Sequence, residues 1–590
     1  MKNLLRNSKK IFIEHFLNSE TDKHARSLSR FTQVSALEAG LMMVFALVLG
    51  LVSGALSVAL NYSVHLVSSW SESVSQTSWG FLLPAVGAGV AVFLIRHVLR
   101  DQAGHGVPDV IKSVTLGSKF LPRRMLASRF LGSLLTVGTG GSAGLEGPIV
   151  CVGGSAGVVL GQLLKMNERH KKLLISYGVA GAIAGVFNAP LTGMIFTLEV
   201  ILREWSYLTI LPTIIAAVSA TELSRVIMGN KIPFYHEIST FSINSLIACV
   251  VLGVVTGVMS AIFMRMLSFW HEIFQKISRH SWIQAIVGGL MVGGLGFFMP
   301  EVLAEGYPMI QQFLVMSVSP ELSMILLFLV MKMLACCFTL SSGGVGGTFA
   351  PSLVLGSGIG YAFGIAMYYL PITDQAGVEA FSLVGMAGMV SGVMHSPLTG
   401  IFLVMESTRG YSLVLPLMLT ASSSMLVSYA LGIGSIYTRE LIARGDLVRK
   451  GSDAYLLHSM NMHEILDKDC ISIDEGLLLG EFIEIFKKAH RNYFPVMQTN
   501  STACIGVVFL DDIRSYLFNQ NLYDLVTMGS VMRKLPQIEA DLSINDALEK
   551  FEESHSWSLP VVDRDGVFLG MLSKSTLFNH YRRELQLQND

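Results

Sequence analysis

Residues 178–193 read GVAGAIAGVFNAPLTG, and residues 385–400 read GMAGMVSGVMHSPLTG. Nine of the sixteen positions are identical, and each closing glycine is followed six residues later by a glutamate, Glu199 in the first copy and Glu406 in the second. Agreement of this kind between distant segments marks an internal duplication. Upstream of the two copies, Gly144-Leu-Glu-Gly-Pro148 stands opposite Gly347-Thr-Phe-Ala-Pro351. The duplication therefore extends over much of two halves of the chain.

Those halves are apolar. Of 590 residues, 51% are hydrophobic and 14% charged, and the mean hydropathy is +0.54, too high for a soluble chain of this length. The excess is confined to residues 36–445, with runs at 36–51, 81–98, 247–263 and 324–334 that are long enough to enter or cross a hydrocarbon layer. Several runs are interrupted by Gly and Pro. Broken helices at membrane depth are tolerated only where the freed backbone groups line a cavity or lie within protein.

Charge separates the chain a second time. Residues 451–590 carry 12 basic and 21 acidic side chains, net −9, and the remaining 450 residues carry 30 basic and 22 acidic ones, net +8. The stretch 165–172 holds Lys165, Arg169, Lys171 and Lys172 and reads as a loop, whereas the matching stretch 370–380 has no Lys or Arg. Basic loops face the cytoplasm, so the two copies are expected to be inverted relative to each other. The six cysteines have no metal-ligand or disulfide spacing. Residues 1–34 lack a secretory signal pattern and are expected to form a cytoplasmic arm.

Glycine and proline recur where apolar helices should begin: Gly104-His-Gly-Val-Pro108, the segments at 144–148 and 347–351, and, less regularly, Ser435-Ile-Tyr437. Glycine lets a ligand approach the backbone, proline suits a first helical turn, and the free N–H groups of that turn attract anions. Glu146 places a carboxylate in such a start. It can act as a tethered anion that competes with a mobile one, which describes a gate. A single histidine in a Gly-rich turn is more often a hydrogen-bonded structural residue than a ligand, but His105 stands where a side-chain donor would meet the ion, and if it titrates near neutrality transport should depend on pH. Glu199 and Glu406, at the ends of their helices, are expected to be structural caps.

These residues resemble the CLC family of chloride channels and proton/chloride exchangers over about residues 35–445. The family's signatures, Gly-Ser-Gly-Ile-Pro, Gly-Lys/Arg-Glu-Gly-Pro and Gly-x-Phe-x-Pro with a late tyrosine, fall on 104–108, 144–148, 347–351 and Tyr437. The resemblance implies a homodimer with a pore in each subunit. It makes Glu146 the gate and implies chloride contacts from Gly106, Gly147, the amides of Thr348 and Phe349, and the Tyr437 hydroxyl. Three positions depart from the pattern. His105 replaces a serine, Leu145 replaces a basic residue, and Val200 occupies the position where proton-coupled members carry a relay glutamate. Valine carries no proton, so channel-type or uncoupled chloride conduction is expected, with proton-coupled exchange, or another anion, as the alternative.

From residue 459 the pattern turns to short alternating strands and amphipathic helices, in two units of about 60 residues. Tyr493-Phe-Pro-Val496 with 506–509, and Leu559-Pro-Val-Val-Asp563 with 570–573, resemble a CBS-domain pair. Such pairs commonly bind adenine nucleotides through a hydroxyl residue and an aspartate three positions later. Here the first unit keeps only Asp512 of that pattern, and the second keeps Ser573 with Thr576 in place of the aspartate. A structural or dimer-stabilising role is expected ahead of nucleotide regulation.

The expected fold is an all-α polytopic membrane protein with an inverted internal repeat and broken helices, followed by a soluble α/β CBS-domain pair. Its parts are an arm at 1–34, a transport domain at 35–450 divided near 230, a linker at 451–458, and CBS units at 459–526 and 527–590. No second catalytic group, metal set or nucleotide loop accompanies Glu146, which argues against an enzyme. Expected partners are chloride or a similar small anion, the lipid bilayer and a second copy, without nucleic acid. The expected location is a plasma or inner membrane with both termini cytoplasmic, and no cofactor is expected in the membrane domain.

Overall fold

A computed structural model describes residues 36–75, 79–101, 106–116, 118, 121–230, 234, 241–315, 321–369, 377–432, 434–443, 460, 462–499, 501, 503–540, 542, 544–563 and 566–589. The first half comprises Ala36–Ser75 (α1), Leu83–Phe93 (α2), Val107–Leu116 (α3), Arg124–Gly138 (α4), Glu146–Leu163 (α5), Glu168–Phe187 (α6), Pro190–Phe196 (α7) and Tyr207–Met228 (α8). The second repeats the series as Ile243–Ile277 (α9), Ser281–Phe298 (α10), Tyr307–Val315 (α11), Leu322–Ser341 (α12), Phe349–Tyr369 (α13), Val378–Met394 (α14), Pro397–Thr408 (α15) and Val414–Ala430 (α16). Ile436–Ala443 (α17) follows. Among the described residues nine helices are long and apolar enough to cross a membrane, and the protein is an integral, multi-pass membrane protein.

Packing repeats with the sequence. α5 lies on α6 as α13 lies on α14, and α8 lies on α1 and α6 as α16 lies on α9 and α14. Glycine makes the inner pairs close: a Cβ on Gly178 would fall on the Gly153 carbonyl, and one on Gly385 would fall on the Gly356 carbonyl. The backbone repeats even where it leaves ordinary geometry. Positive φ occurs at Gly106 (89°) and Gly306 (85°), at Asn188 (55°) and His395 (54°), and at Arg203 (52°) and Arg409 (53°). Asn188 and His395 end α6 and α14 in the left-handed conformation, and Pro190 and Pro397 then begin the next helix, so each helix is broken without unwinding.

The two copies meet at equivalent residues. Gly144 and Gly347 form an antiparallel bridge, with N–H to O=C distances of 2.8 and 2.7 Å. Reciprocal bonds between equivalent residues are the mark of a two-fold relation. One expectation needs correction. The basic stretch at 165–172 is a loop only as far as Asn167, whose side chain accepts from the His170 amide at 2.9 Å; Arg169, Lys171 and Lys172 lie in the first turns of α6. Asn167 is a favourable N-cap, which the density of basic residues concealed.

The chain divides into two compact units, 1–445 and 446–590. In the second, Ile473–Asp474 (β1), Tyr493–Met497 (β2) and Cys504–Phe509 (β3) form one three-stranded sheet, and Ile538–Glu539 (β4), Ser558–Val562 (β5) and Phe568–Ser573 (β6) form another. Each sheet has a parallel pair followed by an antiparallel pair, with a bulge at the same place, Val496/Met497 and Val561/Val562. Leu479–Phe486 (α18) buries Phe482 against Phe494, and Ile544–Glu553 (α19) buries Phe551 in the core with Leu559 and Val561. The strands at 493–497 and 558–562 agree with the sequence reading. The two-residue strands β1 and β4 are too short to leave an alternating pattern.

Candidate functional site

α5 and α13 are the most enclosed of the membrane-spanning helices, with 78% and 83% of their apolar windows buried against 33 to 56% elsewhere. Their starts are joined by the Gly144–Gly347 bridge. A Cβ on Gly347 would stand 2.8 Å from the Gly147 nitrogen, so glycine is required for the two helix starts to meet backbone to backbone.

Beside this junction lies a cavity of about 10 Å³ lined by Val107, Gly147, Gly347, Thr348, Phe349, Ile436, Tyr437 and Glu440. That is room for about one water-sized occupant. Four expected site residues, Gly147, Thr348, Phe349 and Tyr437, are thus brought together from α5, the start of α13, and α17. Gly106 sits at the edge of the group, close enough that a Cβ there would lie 3.4 Å from the Gly147 carbonyl. His105 lies outside the described residues. Residues at or near the starts of α3, α5, α13 and α17 line this cavity, and a helix start presents its first-turn N–H groups and the positive end of its dipole. Phe349 is fixed by the rings of Phe187 and Phe196, at centroid distances of 5.3 and 6.4 Å. The buried Tyr437 hydroxyl is 3.6 Å from the Met394 sulfur, a weak acceptor that leaves it able to donate elsewhere.

Glu146 is the first residue of α5 and only 2% exposed. Its Oε1 accepts from the Tyr307 hydroxyl at 2.8 Å, while Oε2 is buried with no hydrogen-bond partner among the described residues. A Cβ on Gly144 would fall on that Oε2, so the carboxylate lies folded back over its own helix start, against the backbone that also bounds the cavity. A buried carboxylate oxygen without a donor is costly, and an ionisable side chain at such depth marks a candidate functional position.

Val200 and Glu199 lie on the π-helical turn Thr197–Leu202 that continues α7. Val200 is buried at 4% exposure. Glu199 Oε1 accepts from the Leu398 amide at 3.1 Å, and Oε2 accepts from the Thr399 amide at 2.8 Å and its hydroxyl at 2.7 Å. Glu406 does the same to Leu191 and Thr192, at 2.9, 2.8 and 2.6 Å. Both carboxylates therefore cap helix starts.

In the second unit Asp512 is paired with Arg533, whose guanidinium lies 5.5 Å from the Phe509 ring centroid. The hydrogen bond from this pairing holds Arg533 above its ordinary range. Ser573 accepts from the Thr576 amide at 3.1 Å and shares a hydroxyl contact with Thr576 at 2.6 Å, which caps the last helix, Lys574–Asn589 (α20). Arg533 thus engages one Asp512 oxygen, Oδ2 of Asp512 is buried with no hydrogen-bond partner among the described residues, and the Ser573–Thr576 pair is engaged locally.

Two participants escaped the sequence reading. Glu440 adds a carboxylate to the cavity wall, three residues beyond Tyr437 on a helix too short to declare its face. Gly306-Tyr-Pro308 is the second copy of Gly106-Val-Pro108, recognisable in retrospect by the shared Gly-x-Pro spacing and the matching positive φ.

Residues 87–429 match the voltage gated chloride channel family, and residues 462–519 and 528–583 match the CBS domain. The chain is 29% identical over 424 residues to the H(+)/Cl(-) exchange transporter ClcA of Vibrio cholerae serotype O1, covering 68% of this chain and 89% of that one. It is 28% identical over 415 residues to the ClcA transporter of Klebsiella pneumoniae, covering 67% and 87%. A slow cyanobacterial Cl-/H+ antiporter superposes with a TM-score of 0.63 at 26% identity, over 68% of this chain and 97% of that one. A eukaryotic CLC transporter shares the fold at 17% identity, with a TM-score of 0.61 over 91% and 97%. From its repeated helices to its paired C-terminal sheets, the chain belongs to the CLC family of chloride-transporting membrane proteins and carries two CBS domains.

Proposed function

We propose that the protein conducts chloride, or a similar small anion, through the cavity bounded by Gly147, Thr348, Phe349 and Tyr437, that Glu146 gates it, and that flux is not tied to proton counter-movement. The observation that carries the last part is at Val200 and Glu199. The relay position is apolar and buried, and the adjacent carboxylate has both oxygens committed to the amides of Leu398 and Thr399. Neither residue offers a proton carrier. Gly106, beside Gly147, and His105 are assigned to the same anion site. We further assign a homodimer, a plasma or inner membrane location with both termini cytoplasmic, and domain limits at 35–450, 459–526 and 527–590.

The CBS pair is assigned a structural, dimer-stabilising role. An adenine nucleotide needs an aspartate free to take a ribose. Asp512 has one oxygen held by Arg533, and the second unit offers Ser573 and Thr576 without an aspartate, which supports the structural role ahead of nucleotide binding.

A proton-coupled exchanger is the second reading. It is favoured by the Glu440 carboxylate on the cavity wall and by relatives named as H(+)/Cl(-) exchange transporters. Purified protein in liposomes under a chloride gradient separates the two when chloride efflux and proton uptake are recorded together. Efflux without stoichiometric proton movement is expected, with a changed rate in Glu146→Ala. Fixed-ratio proton uptake that Glu440→Gln abolishes would establish the exchanger instead.

A further inference from the structure

Tyr307 occupies in the second repeat the place that Val107 holds in the first. Val107 lines the anion cavity. Its counterpart instead reaches the gate, where the Tyr307 hydroxyl donates to Glu146 Oε1 at 2.8 Å. The other carboxylate oxygen makes no geometric hydrogen bond among the described residues, and although the backbone N–H groups of Glu146 and Ala350 also face the carboxylate, Tyr307 gives it the one side-chain hydrogen bond described.

The tyrosine is aimed by a braced loop. Lys332, fully buried on α12, donates its ammonium to the carbonyls of Val302 (3.0 Å) and Ala304 (2.9 Å). Gly306 then turns at φ 85°, passing so near that a Cβ would lie 3.0 Å from the Lys332 nitrogen. A buried ammonium is stable only when its donors are taken up, so loop and lysine fix each other. Phe234 flanks the tyrosine ring at 5.8 Å. The charged and titratable groups near Glu146 are then Glu305 on the loop, Tyr307 on α11 and Tyr437 on α17, with Lys332 beside Glu305.

We propose that Tyr307 is a latch: its hydroxyl holds the Glu146 carboxylate in the blocking position and thereby sets how strongly this tethered anion competes with chloride. The latch rests on the reading of Glu146 as the gate. Tyr307 acts through Glu146 and is a positioning residue. A hydrogen bond to an ionised group biases two positions by roughly 10- to 100-fold. Apparent affinity scales with the fraction of molecules in the unblocked state, so releasing the latch tightens apparent chloride affinity by up to the same factor.

The test is radiolabelled chloride flux in proteoliposomes of the full chain, measured against chloride concentration for wild type, Tyr307→Phe, Glu146→Ala and the double variant. Tyr307→Phe removes one oxygen and leaves the ring against Phe234. Its half-saturating chloride concentration is expected to fall about tenfold, with the maximal rate within about twofold. In the Glu146→Ala background the same substitution should change neither quantity. Mere loosening of the fold lowers the maximal rate without improving apparent affinity. A shift in half-saturation by Glu146→Ala but none by Tyr307→Phe would overturn the latch and leave the gate standing. A Tyr307→Phe effect that persists at full size in the Glu146→Ala background would also overturn it. If Glu146→Ala leaves half-saturation and rate unchanged, the gate fails and the latch with it. Lys332→Gln, which frees the 302–306 loop, is a second route to the same release, and its shift in half-saturation should likewise vanish in the Glu146→Ala background.

Discussion

Glu199 and Glu406 each cap the helix that carries the other. Glu199, beyond α7, accepts from the first amides of α15, and Glu406, on α15, accepts from the first amides of α7. The two short helices are clasped across the repeat axis. Hydrogen bonds from amides to a carboxylate stabilise by about 1.5 to 3 kcal/mol, and loss of an N-cap costs about 1 kcal/mol. Glu199→Ala and Glu406→Ala should therefore each destabilise the detergent-solubilised protein by about 2 kcal/mol. The double variant should fall short of their sum, because both act on one clasp. Thermal unfolding followed by size-exclusion chromatography measures this. Glu199→Gln, which still accepts hydrogen bonds, should leave chloride flux per folded molecule within about twofold; a collapse of flux with stability retained would give Glu199 a transport role.

Gly144 is small because the Glu146 carboxylate needs the space. A Cβ there would fall on Glu146 Oε2, the mobile end of a side chain, and come within 2.9 Å of the Ala350 Cβ. The cheapest relief is for the carboxylate to swing away. Gly144→Ala should therefore resemble Glu146→Ala in concentration-dependent chloride flux, with a lower half-saturating concentration than wild type. A variant that folds and retains wild-type half-saturation would show that Glu146 does not block from this position.

The α5–α6 and α13–α14 contacts leave no such relief. A methyl on Gly178 or Gly385 would meet backbone carbonyls, of Gly153 and Gly356 respectively, on helices held from both sides. Overpacking of this kind costs about 1 to 3 kcal/mol. Gly178→Ala and Gly385→Ala are expected to lower the yield of monodisperse protein to a similar degree, because the two positions are equivalent in the repeat. Wild-type melting behaviour in either would mean that the helices can separate at no cost.

Nucleotide should find little hold on the CBS pair while Asp512 is bound to Arg533. Millimolar ATP is expected to leave the melting temperature of the full chain unchanged. Arg533→Ala, which releases the carboxylate, should gain binding if any latent site exists. A ligand present at about ten times its dissociation constant stabilises by about 1.4 kcal/mol, so a clear upward shift in wild type would overturn the structural assignment.

The sequence by itself determined the architecture of this protein. A duplicated Gly/Pro pattern survives inside apolar helices because only certain residues permit a helix to break and restart, so 178–193 and 385–400 declared both the repeat and its breaks. The short apolar runs Tyr493-Phe-Pro-Val496 and Leu559-Pro-Val-Val-Asp563, recurring in two units of about 60 residues, declared the C-terminal sheets for the same local reason. What only the tertiary structure decided was which side chain answers which. Glu199 finds its amides about 200 residues away at Leu398 and Thr399, Lys332 finds its carbonyls on a loop it does not belong to, and Tyr307 meets Glu146 across the repeat axis. Hydrogen bonds between distant segments leave no periodicity in either one. They are fixed by how the helices pack, and no single segment records its partner.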